Sequence, residues 1–403
     1  MKILQINKYF YLKGGAETVF FNTIDLLKRN GHKVIPFCLN NPKNRESEFD
    51  SYFVNYPELS ECNLLQRLVH IPDFIYNKEA AQKLEKLIIE QRPDLAHIHL
   101  LFNSHSVSIL PVLKKYNIPT IMTVHDYRLI CPAYAFRDGK GNICEKCLYS
   151  KSYYNCILKR CSKNNLGNSI ILTLDSYFRS AIYKPIDYIN KFIFVSQFSR
   201  NKHIEADQRY KDKSTFLYNF TPHIYNAKKE RGKYLLFFGR ISEEKGINTL
   251  IDAIKNIPDM TLKIAGTGPL YNSLSHLNIP NVELLGFKQG KELEDLVQNA
   301  MYVIVSSECY ENNPLSIIEA MAMGIPVIGS NIGGIPELIN NEKNGFLFET
   351  KNAHDLESKI QKALAITDHQ YFELSQNAIS FAKANFSEEA HYQKLISVYN
   401  SVL

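Results

Sequence analysis

Glu311 and Glu319 have seven residues between them in a stretch, Met301–Ile328, whose pattern could hold a phosphorylated sugar. The run MYVIVSS is typical of a buried strand and CYENN of a polar loop. PLSIIEAMAM is typical of a helix that begins at Pro314 and ends at Gly324. Glu311 is therefore expected in the loop, within reach of a sugar hydroxyl. Glu319 is expected inside the helix, where it could accept hydrogen bonds from the two ribose hydroxyls of a nucleotide.

The N-terminus of this predicted helix could itself bind an anion. The backbone N–H groups of Leu315 and Ser316 lack partners within the first turn, and with the helix dipole they favour a phosphate group. Two glutamates at this spacing also arise by chance, and one of them could be an ordinary solvated residue. The strand–loop–helix context is what favours a binding site.

Arg240 and Lys245 could converge on one diphosphate. They lie five residues apart, after the predicted strand YLLFF and before a predicted helix at Gly246, and Gly239 allows a tight exit from the strand. Hydrogen bonds to charged partners contribute about 1.5–3 kcal/mol each, so the pair could hold a nucleotide diphosphate without magnesium. The alternative is two solvated surface cations.

The first half of the chain has its own glycine loop before a helix. Gly14 and Gly15 follow the predicted strand KILQI and precede a predicted helix from about Ala16 to Asn30, after which HKVIPF is a second strand. This order is the repeating unit of a doubly wound sheet. The glycines let backbone approach a ligand, and the helix N-terminus favours an anion. Glu17 would stabilise the first helical turn by about 0.3–1 kcal/mol through its charge alone.

His125 ends the predicted strand PTIMTV at its carboxyl end, where open α/β sheets bind ligands. A lone histidine is more often structural than functional, so this position leaves both interpretations open. His97 and His99 share one face of a predicted strand, but no third metal ligand is evident. We expect these two, and the nearby His105, to be structural.

Five of the eight cysteines lie between Cys131 and Cys161. Cys144 and Cys147 form C-x2-C, and Cys156 and Cys161 follow as C-x4-C. Four thiolates at this spacing suit a structural zinc ion, which would stabilise a loop rich in Gly, Lys and Tyr. The alternatives are free thiols, a redox pair or an iron–sulfur cluster, and Cys131 could substitute for one ligand.

Length and composition indicate a globular protein of two domains. The chain has 403 residues, of which 45% are hydrophobic and 22% charged. No apolar run approaches the ~20 residues that cross a bilayer. The N-terminus is too polar after Ile6 for a signal peptide, so we expect a cytoplasmic enzyme.

The net charge of +6 is mild and does not indicate a nucleic-acid partner. The positive residues are concentrated between Lys146 and Lys213, with Tyr and Phe among them. Such a surface fits a peripheral contact with the anionic inner face of a membrane. An ordinary solvated surface fits equally well.

The stretch around the two glutamates resembles the E-x7-E motif of retaining glycosyltransferases, most closely family 4, which has the GT-B fold. The usual motif is E-G-F/C-G-L-x-x-x-E, and this chain has E-N-N-P-L-S-I-I-E. Both glutamates and the leucine match. Asn312, Asn313 and Pro314 replace the usual small and aromatic residues, which predicts an unusual pocket around the donor sugar.

The resemblance covers nearly the whole chain and is more specific in the second half. The further matches are G-G-x-E at Gly14, Gly15 and Glu17, H-D-Y at His125, V-S-x-x-x-R at Ser196 and Arg200, G-R-x-x-x-x-K-G from Gly239 to Gly246, G-x-G-P at Gly266 and Gly268, and the pair Gly286 and Phe287. Gly333, Gly334 and Glu337 match as well. Similar cysteine-bearing insertions occur in some bacterial relatives.

The resemblance implies an α/β chain with two Rossmann-like domains facing a central cleft. Residues 1–220 would bind the acceptor and carry the cysteine-rich insertion at about 131–161. Residues 221–385 would bind the nucleotide sugar, and residues 386–403 would form a helix that returns to the first domain.

The implied activity is a metal-independent hexosyltransferase that retains the anomeric configuration. It would use a UDP- or GDP-sugar and a glycan or lipid-linked acceptor, in capsule or other cell-surface polysaccharide biosynthesis. The implied catalytic residues are His125, Arg240, Lys245 and Glu311. The implied donor-binding residues are Gly14, Gly15, Glu17, Gly239, Gly266, Gly268, Phe287, Asn313, Pro314, Leu315, Ser316 and Glu319.

Two mechanisms and two other functions stay open. The acceptor could be deprotonated by the leaving phosphate on the same face, or Glu311 could act as nucleophile in a double displacement. A sugar-nucleotide hydrolase or epimerase of the same fold, or a non-enzymatic zinc-dependent scaffold, would share these motifs.

Overall fold

The computed structural model of the protein describes residues 1–57, 69–228 and 230–403. The chain folds into two compact units. The first is Met1–Leu217 together with Tyr392–Leu403, and the second is Tyr218–His391. Each unit contains a parallel six-stranded sheet, so the predicted α/β class is confirmed.

The sheet of the first unit has the strand order β2-β1-β3-β4-β5-β6, and all neighbours are parallel. Its strands are β1 (Lys2–Ile6), β2 (Lys33–Phe37), β3 (Leu95–Ile98), β4 (Thr120–Val124), β5 (Lys191–Phe194) and β6 (Ser214–Phe216). β3 and β4 are buried along their whole length. That is the pattern expected when both faces of a parallel sheet are covered.

The helices in the described part of the first unit connect these strands. They are α1 (Gly15–Arg29), α2 (Ile71–Ile75), α3 (Lys78–Gln91), α4 (Ile109–Lys115), α5 (Lys146–Ser150), α6 (Tyr154–Leu158), α7 (Leu166–Ala181), α8 (Pro185–Tyr188), α9 (Gln197–Ala206) and α10 (Tyr210–Lys213). A 3-10 turn covers Asp50–Tyr52.

The sheet of the second unit has the order β12-β11-β10-β7-β8-β9, again parallel throughout. This is the strand order of a dinucleotide-binding Rossmann sheet. Its strands are β7 (Leu235–Phe238), β8 (Leu262–Ala265), β9 (Val282–Gly286), β10 (Tyr302–Val305), β11 (Val327–Ser330) and β12 (Gly345–Phe348).

The helices that follow are mostly amphipathic, and they bury apolar faces against this sheet in two clusters. They are α11 (Ile247–Ile254), α12 (Tyr271–Ser275), α13 (Gly290–Gln298), α14 (Leu315–Ala322), α15 (Ile335–Leu338), α16 (Ala353–Ala365) and α17 (Asp368–Phe386). A 3-10 turn covers Glu243–Lys245. The last helix, α18 (Glu388–Asn400), begins in the second unit and ends in the first.

Several predicted boundaries differ from the structure. The sequence from residue 103 to 116 predicts a helix, but the helix covers only α4, because Asn103 and Ser106 have φ of 64° and 59° and interrupt a right-handed helix. The run STFLYNF, residues 214–220, predicts a strand, which ends at Phe216 in the structure. The sequence between Asn40 and Pro72 has no clear period and predicts loops and short helices. These are seen in part, and residues 58–68 lie outside the described residues.

Candidate functional site

The strand order places two loops of the second unit at one point. After β7 the chain moves to β8 on one side of the sheet, whereas β10 lies on the other side of β7. The loops that leave β7 and β10 therefore diverge at the carboxyl edge, which is where such sheets bind ligands. The loop after β7 carries Arg240 and Lys245, and the loop after β10 carries Glu311.

Lys245 and Glu311 form an ion pair across this point. The Lys245 ammonium donates to Glu311 Oε1 at 2.6 Å, and the Ser307 hydroxyl donates to the same oxygen at 2.7 Å. Burial by itself would favour the neutral carboxylic acid, but the nearby Lys245 charge lowers the pKa of Glu311 below its ordinary value. Both groups are therefore charged at neutral pH, and a cation is held at the ligand-binding edge.

The backbone that carries Lys245 is fixed by the loop opposite. The Ser306 hydroxyl donates to the Lys245 carbonyl oxygen at 2.8 Å. Gly246 has φ of 66°, and a Cβ there would lie 1.9 Å from the Ser306 carbonyl oxygen. Only glycine allows this approach, so the Lys-Gly order of the sequence is a requirement of the packing.

The loop after β11 supports Glu311 from the other side. The Gly334 N–H donates to the Glu311 carbonyl oxygen at 2.7 Å. The family motif had pointed to Gly334, but its contact with Glu311 could not be predicted from spacing. Ser307, which shares the carboxylate with Lys245, was missed because a serine at a strand end carries no distinctive pattern.

The predicted glycine positions bring the loops after β7 and β8 together. Gly266 has φ of 157°, and a Cβ there would lie 1.8 Å from the Gly239 carbonyl oxygen. The Ile241 N–H donates to the Thr267 carbonyl oxygen at 2.9 Å. Arg240 is exposed beside these loops. Backbone and one cation are therefore accessible to a ligand at this edge.

The helix after Glu311 begins one residue later than predicted. Pro314 is the N-cap rather than the first helical residue, and α14 starts at Leu315. The N–H groups of Leu315 and Ser316 lie in its first turn, as the anion-site hypothesis requires. Burial raises the pKa of Glu319, inside the helix, to about 7.

Asn313 makes a structural contact. Its side-chain oxygen accepts the Asn219 N–H at 2.7 Å, and the Asn219 amide donates to the Asn313 carbonyl oxygen at 3.1 Å. This exchange holds the loop between Glu311 and α14. Phe287, predicted to lie near a base, is 65% exposed after β9.

The first unit has a separate candidate site at the carboxyl edge of β3 and β4. His125 follows β4, and its Nε2 lies 3.1 Å from His99 Nδ1, with the two rings stacked at 5.3 Å. Burial lowers the pKa of His125 to about 4, so the ring is neutral at neutral pH. A neutral imidazole can donate or accept one hydrogen bond without carrying charge.

A cavity of about 210 Å³ adjoins this histidine pair. It is also lined by Asp126 and Arg128. The guanidinium of Arg128 is buried, and its Nη1 has no hydrogen-bond partner among the described residues. His99 and Arg128 were not predicted as site residues, since their contribution depends on how neighbouring strands and loops pack.

The glycine loop of the first unit has the expected geometry. Gly14 is the N-cap of α1, and Gly15 opens the helix. Glu17 is buried, and the burial raises its pKa. The carboxylate lies close to the loop, 3.6 Å from where a Cβ of Gly14 would stand. Glu17 therefore supports the loop at the N-terminus of α1.

Two other histidines are structural, as expected. His97 contacts the Tyr399 hydroxyl and the Thr123 hydroxyl, both at 2.7 Å. The His105 ring bonds to the Asn7 carbonyl oxygen at 3.0 Å. Both rings are buried and link elements of the first unit.

The structure does not support a zinc site at Cys144, Cys147, Cys156 and Cys161. Within residues 1–57, 69–228 and 230–403, no group of three or more His, Cys, Asp or Glu side chains could hold a metal ion. The described cysteines also form no disulfide. Cys147 and Cys156 lie on different short helices, and burial raises the pKa of the Cys147 thiol to about 12.

Comparison with known proteins identifies the two halves. Residues 13–222 match the family Glycosyltransferase Family 4, and residues 223–384 match Glycosyl transferases group 1. An uncharacterized glycosyltransferase of Methanocaldococcus jannaschii is 26% identical over 408 residues, covering 100% of this chain and 99% of the relative. An uncharacterized 42.6 kDa protein in the cps region of Klebsiella pneumoniae is 25% identical over 368 residues, covering 87% and 90%.

A solved structure has the same fold. Anabaena HepE in complex with UDP and glucose aligns with a TM-score of 0.68 and 19% identity, covering 100% of both chains. The predicted GT-B fold is therefore confirmed. These matches give no support to the cysteine-bearing insertion as a feature shared with relatives.

Glu311→Gln should lower the free energy of unfolding by about 1–3 kcal/mol at neutral pH, because it leaves the Lys245 charge without its partner. The pKa of Glu311 is lowered in the folded protein, so its contribution is complete above the ordinary value of 4.5 and lost as the pH falls through the lower folded value. The difference between wild type and variant, measured by urea denaturation, should therefore shrink in acid.

The matched control is Glu292→Gln, which removes a carboxylate that is 71% exposed and only weakly paired. It should change stability by less than about 0.5 kcal/mol. Equal effects of the two substitutions at neutral pH would show that the Lys245–Glu311 pair does not stabilise the loop.

Proposed function

Because the chain belongs to glycosyltransferase family 4, we propose that it moves a sugar from a nucleotide-diphosphate sugar to an acceptor hydroxyl, with retention of anomeric configuration and without a catalytic metal. The Lys245–Glu311 pair carries this proposal. It holds a cation at the carboxyl edge of the second sheet, with Arg240 on the same loop. An anionic diphosphate requires positive charge of this kind in its binding site.

The reaction develops negative charge on the departing diphosphate and positive charge on the sugar ring. Arg240, Lys245 and the N-terminus of α14 stabilise the negative charge in the second unit. Because Lys245 is already fixed by Glu311 and Ser306, little reorganisation is needed when charge develops. The N-terminus of α1, with Gly14 and Gly15, offers the first unit a second anion site by the same physics.

Glu311 fits a positioning role better than that of a nucleophile. Its Oε1 accepts hydrogen bonds from Lys245, Ser307 and the Cys309 thiol, the last at 3.8 Å. Hydrogen bonds of this kind stabilise the carboxylate and lower its nucleophilicity. We therefore favour deprotonation of the acceptor by the leaving phosphate on the same face. His125, neutral at neutral pH, can hydrogen-bond a ligand at the carboxyl edge of the first unit.

The substrates are proposed from the relatives. The Klebsiella relative lies in a cps region, which favours a role in cell-surface polysaccharide biosynthesis with a glycan or lipid-linked acceptor. Because HepE was solved with UDP and glucose, UDP-hexoses are the first donors to test, followed by GDP-hexoses. Glu319 would accept hydrogen bonds from the ribose hydroxyls, and Phe287 would lie beside the base.

Lys245→Ala and Glu319→Ala should each weaken binding of the correct nucleotide sugar by about tenfold or more, since each removes a charge-assisted hydrogen bond. Isothermal titration calorimetry measures the affinity, after a thermal-shift screen of nucleotide sugars has chosen the donor. Lys291→Ala, which removes a cation that is 70% exposed on α13, is the control and should bind normally. Unchanged affinity in both site variants would refute the nucleotide assignment.

Donor binding should release protons between about pH 5 and 7. The Glu319 carboxyl has a pKa of about 7 in the free protein, and hydrogen bonds from ribose hydroxyls would stabilise its ionised form. The bound protein would then hold fewer protons than the free one, so affinity should rise with pH across this range. Calorimetry at about pH 6 in buffers of different ionisation enthalpy measures the protons released.

Glu319→Gln is the control for this linkage, because it keeps the shape of the side chain and removes its titration. The variant should release fewer protons than wild type under the same conditions. Equal proton release by the two proteins, or proton uptake by the wild type, would contradict a Glu319–ribose contact. Product analysis with and without acceptor separates transfer from hydrolysis of the donor.

A further inference from the structure

Exposed apolar side chains are concentrated in one part of the first unit. The described residues include sixteen large hydrophobic side chains that are exposed to solvent, and eight of them lie within a segment of 34 residues. These eight are Tyr149, Tyr154, Leu158, Leu166, Ile170, Leu174, Tyr177 and Ile182. Together they are called the α7 face, after the helix that carries four of them. Scattered single residues of this kind need no explanation, but a concentration does.

Helix α7 has its polar and apolar sides exchanged. Leu166, Ile170 and Leu174 follow one another at intervals of four residues and are 45%, 38% and 51% exposed. Tyr177 continues the same side of the helix at 41% exposure. A helix that packed on the core and faced only water would turn these residues inward.

The buried side of α7 consists largely of small hydroxyl residues. The hydroxyls of Ser169, Thr173 and Ser176 each donate to the backbone carbonyl oxygen four residues earlier, at 2.8 Å. Asp175 and Arg179 are also buried and pair at 2.9 Å. The polar groups on the inner side of α7 thus have hydrogen-bond and ion-pair partners there. The leucine and isoleucine side chains are left outside, where they can contact an external apolar medium.

The short helix α6 packs beside α7 and extends this surface. The Tyr154 N–H donates to the Tyr177 hydroxyl at 3.2 Å, and the Ser152 and Tyr177 hydroxyls are also 3.2 Å apart. Tyr154 and Leu158 on α6 are 54% and 62% exposed. The exposed residues of the two helices therefore belong to one contiguous region.

The segment that carries the α7 face is rich in exposed positive charge. Between Lys146 and Lys184 the one acidic residue is Asp175, which is buried against Arg179. Six cations in the same segment are exposed, and they are Lys146, Lys151, Lys159, Arg160, Lys163 and Lys184. Two copies of such a surface would repel each other, whereas an anionic surface would be attracted.

A cavity of about 310 Å³ lies next to the face and shares Tyr177 with it. Tyr177 lines it, as do Lys151 and Lys184, the two lysines at either end of the α6–α7 region. Arg209 also lines it, although its charge is paired with Asp187 and Asp207. The cavity thus places cations beside an apolar surface, an arrangement that suits the headgroup of an anionic lipid.

We propose that the α7 face docks on the surface of an anionic lipid bilayer. The leucine, isoleucine and tyrosine side chains enter the boundary between headgroups and acyl chains, and the six exposed cations contact lipid phosphates. No helix in the described part of the chain meets the length and hydropathy of a membrane span, so the proposed attachment is peripheral. It is independent of the transferase activity and can be tested without any sugar substrate.

Vesicle flotation of the full chain tests the proposal. The vesicles contain equal amounts of phosphatidylglycerol and phosphatidylcholine, with pure phosphatidylcholine as the neutral comparison. Wild type should float with the anionic vesicles, and far less with the neutral ones or at high salt. Wild type that stays in solution with anionic vesicles at low salt would overturn the proposal.

The apolar arm uses the double variant Ile170→Ser with Leu174→Ser. Both residues are exposed, so the fold should persist, and the bound fraction should fall by about tenfold. The matched control is Ile89→Ser with Leu277→Ser, which removes the same residue types from other surfaces. Each of these two residues is 54% exposed. Equal vesicle binding by the two double variants would refute the α7 face as the docking surface.

A triple variant, Lys159→Gln with Arg160→Gln and Lys163→Gln, tests the charge by removing three exposed cations of this segment. Binding should fall by a similar factor and lose most of its salt dependence. A control with the same loss of charge elsewhere replaces Lys86, Lys291 and Lys362 with Gln. Light scattering of the free protein adds the last test, since a dimer that Ile170→Ser with Leu174→Ser dissociates would show that a second copy covers the face.

Discussion

The arrangement of the second unit depends on one ion pair at the reversal of its strand order. β7 and β10 are neighbours whose onward connections lead to opposite sides of the sheet, so their loops must part at the carboxyl edge. Lys245 and Glu311 bridge that gap at 2.6 Å. A cation held in this way is fixed before any ligand arrives, and a diphosphate bound there would meet charge whose position needs no adjustment.

The contacts around the pair explain why small residues surround it. Ser306 and Ser307 bond to the Lys245 carbonyl and the Glu311 carboxylate, and Gly246 passes too close to Ser306 to carry a side chain. Gly334 holds the Glu311 backbone from the loop after β11. Three loops therefore position the two charged groups. A substitution in any of these loops should change the geometry of the Lys245–Glu311 pair.

The candidate site of the first unit has a different feature, which is a histidine ring that is neutral at neutral pH. His125 stacks on His99 with its pKa lowered to about 4, so this edge offers hydrogen bonds from a neutral ring. Helix α7 differs from an ordinary amphipathic helix, because it buries hydroxyl groups and an Asp–Arg ion pair while it exposes leucine and isoleucine side chains. That exchange makes sense if the medium outside α7 is partly apolar, as the bilayer proposal requires.

The sequence alone determined most of the strand and helix pattern, because both sheets are parallel and their strands are short apolar runs between helices. It also determined which motifs are present, including the two glutamates and the Arg240–Lys245 loop. The local backbone geometry made some helix boundaries differ from the predicted ones. Pro314 caps α14 instead of opening it, and positive φ at Asn103 and Ser106 shortens α4.

Only the tertiary structure decided which side chains meet. The contact of Lys245 with Glu311, 66 residues away, and the stacking of His99 on His125 depend on which strands lie side by side, which spacing along the chain does not specify. The four cysteines show the reverse, since their spacing suited zinc but their side chains are not arranged to hold it. The orientation of α7, with apolar side chains toward the outside, was likewise decided only by packing. A sequence pattern with a polar and an apolar helical side does not specify which side faces the core.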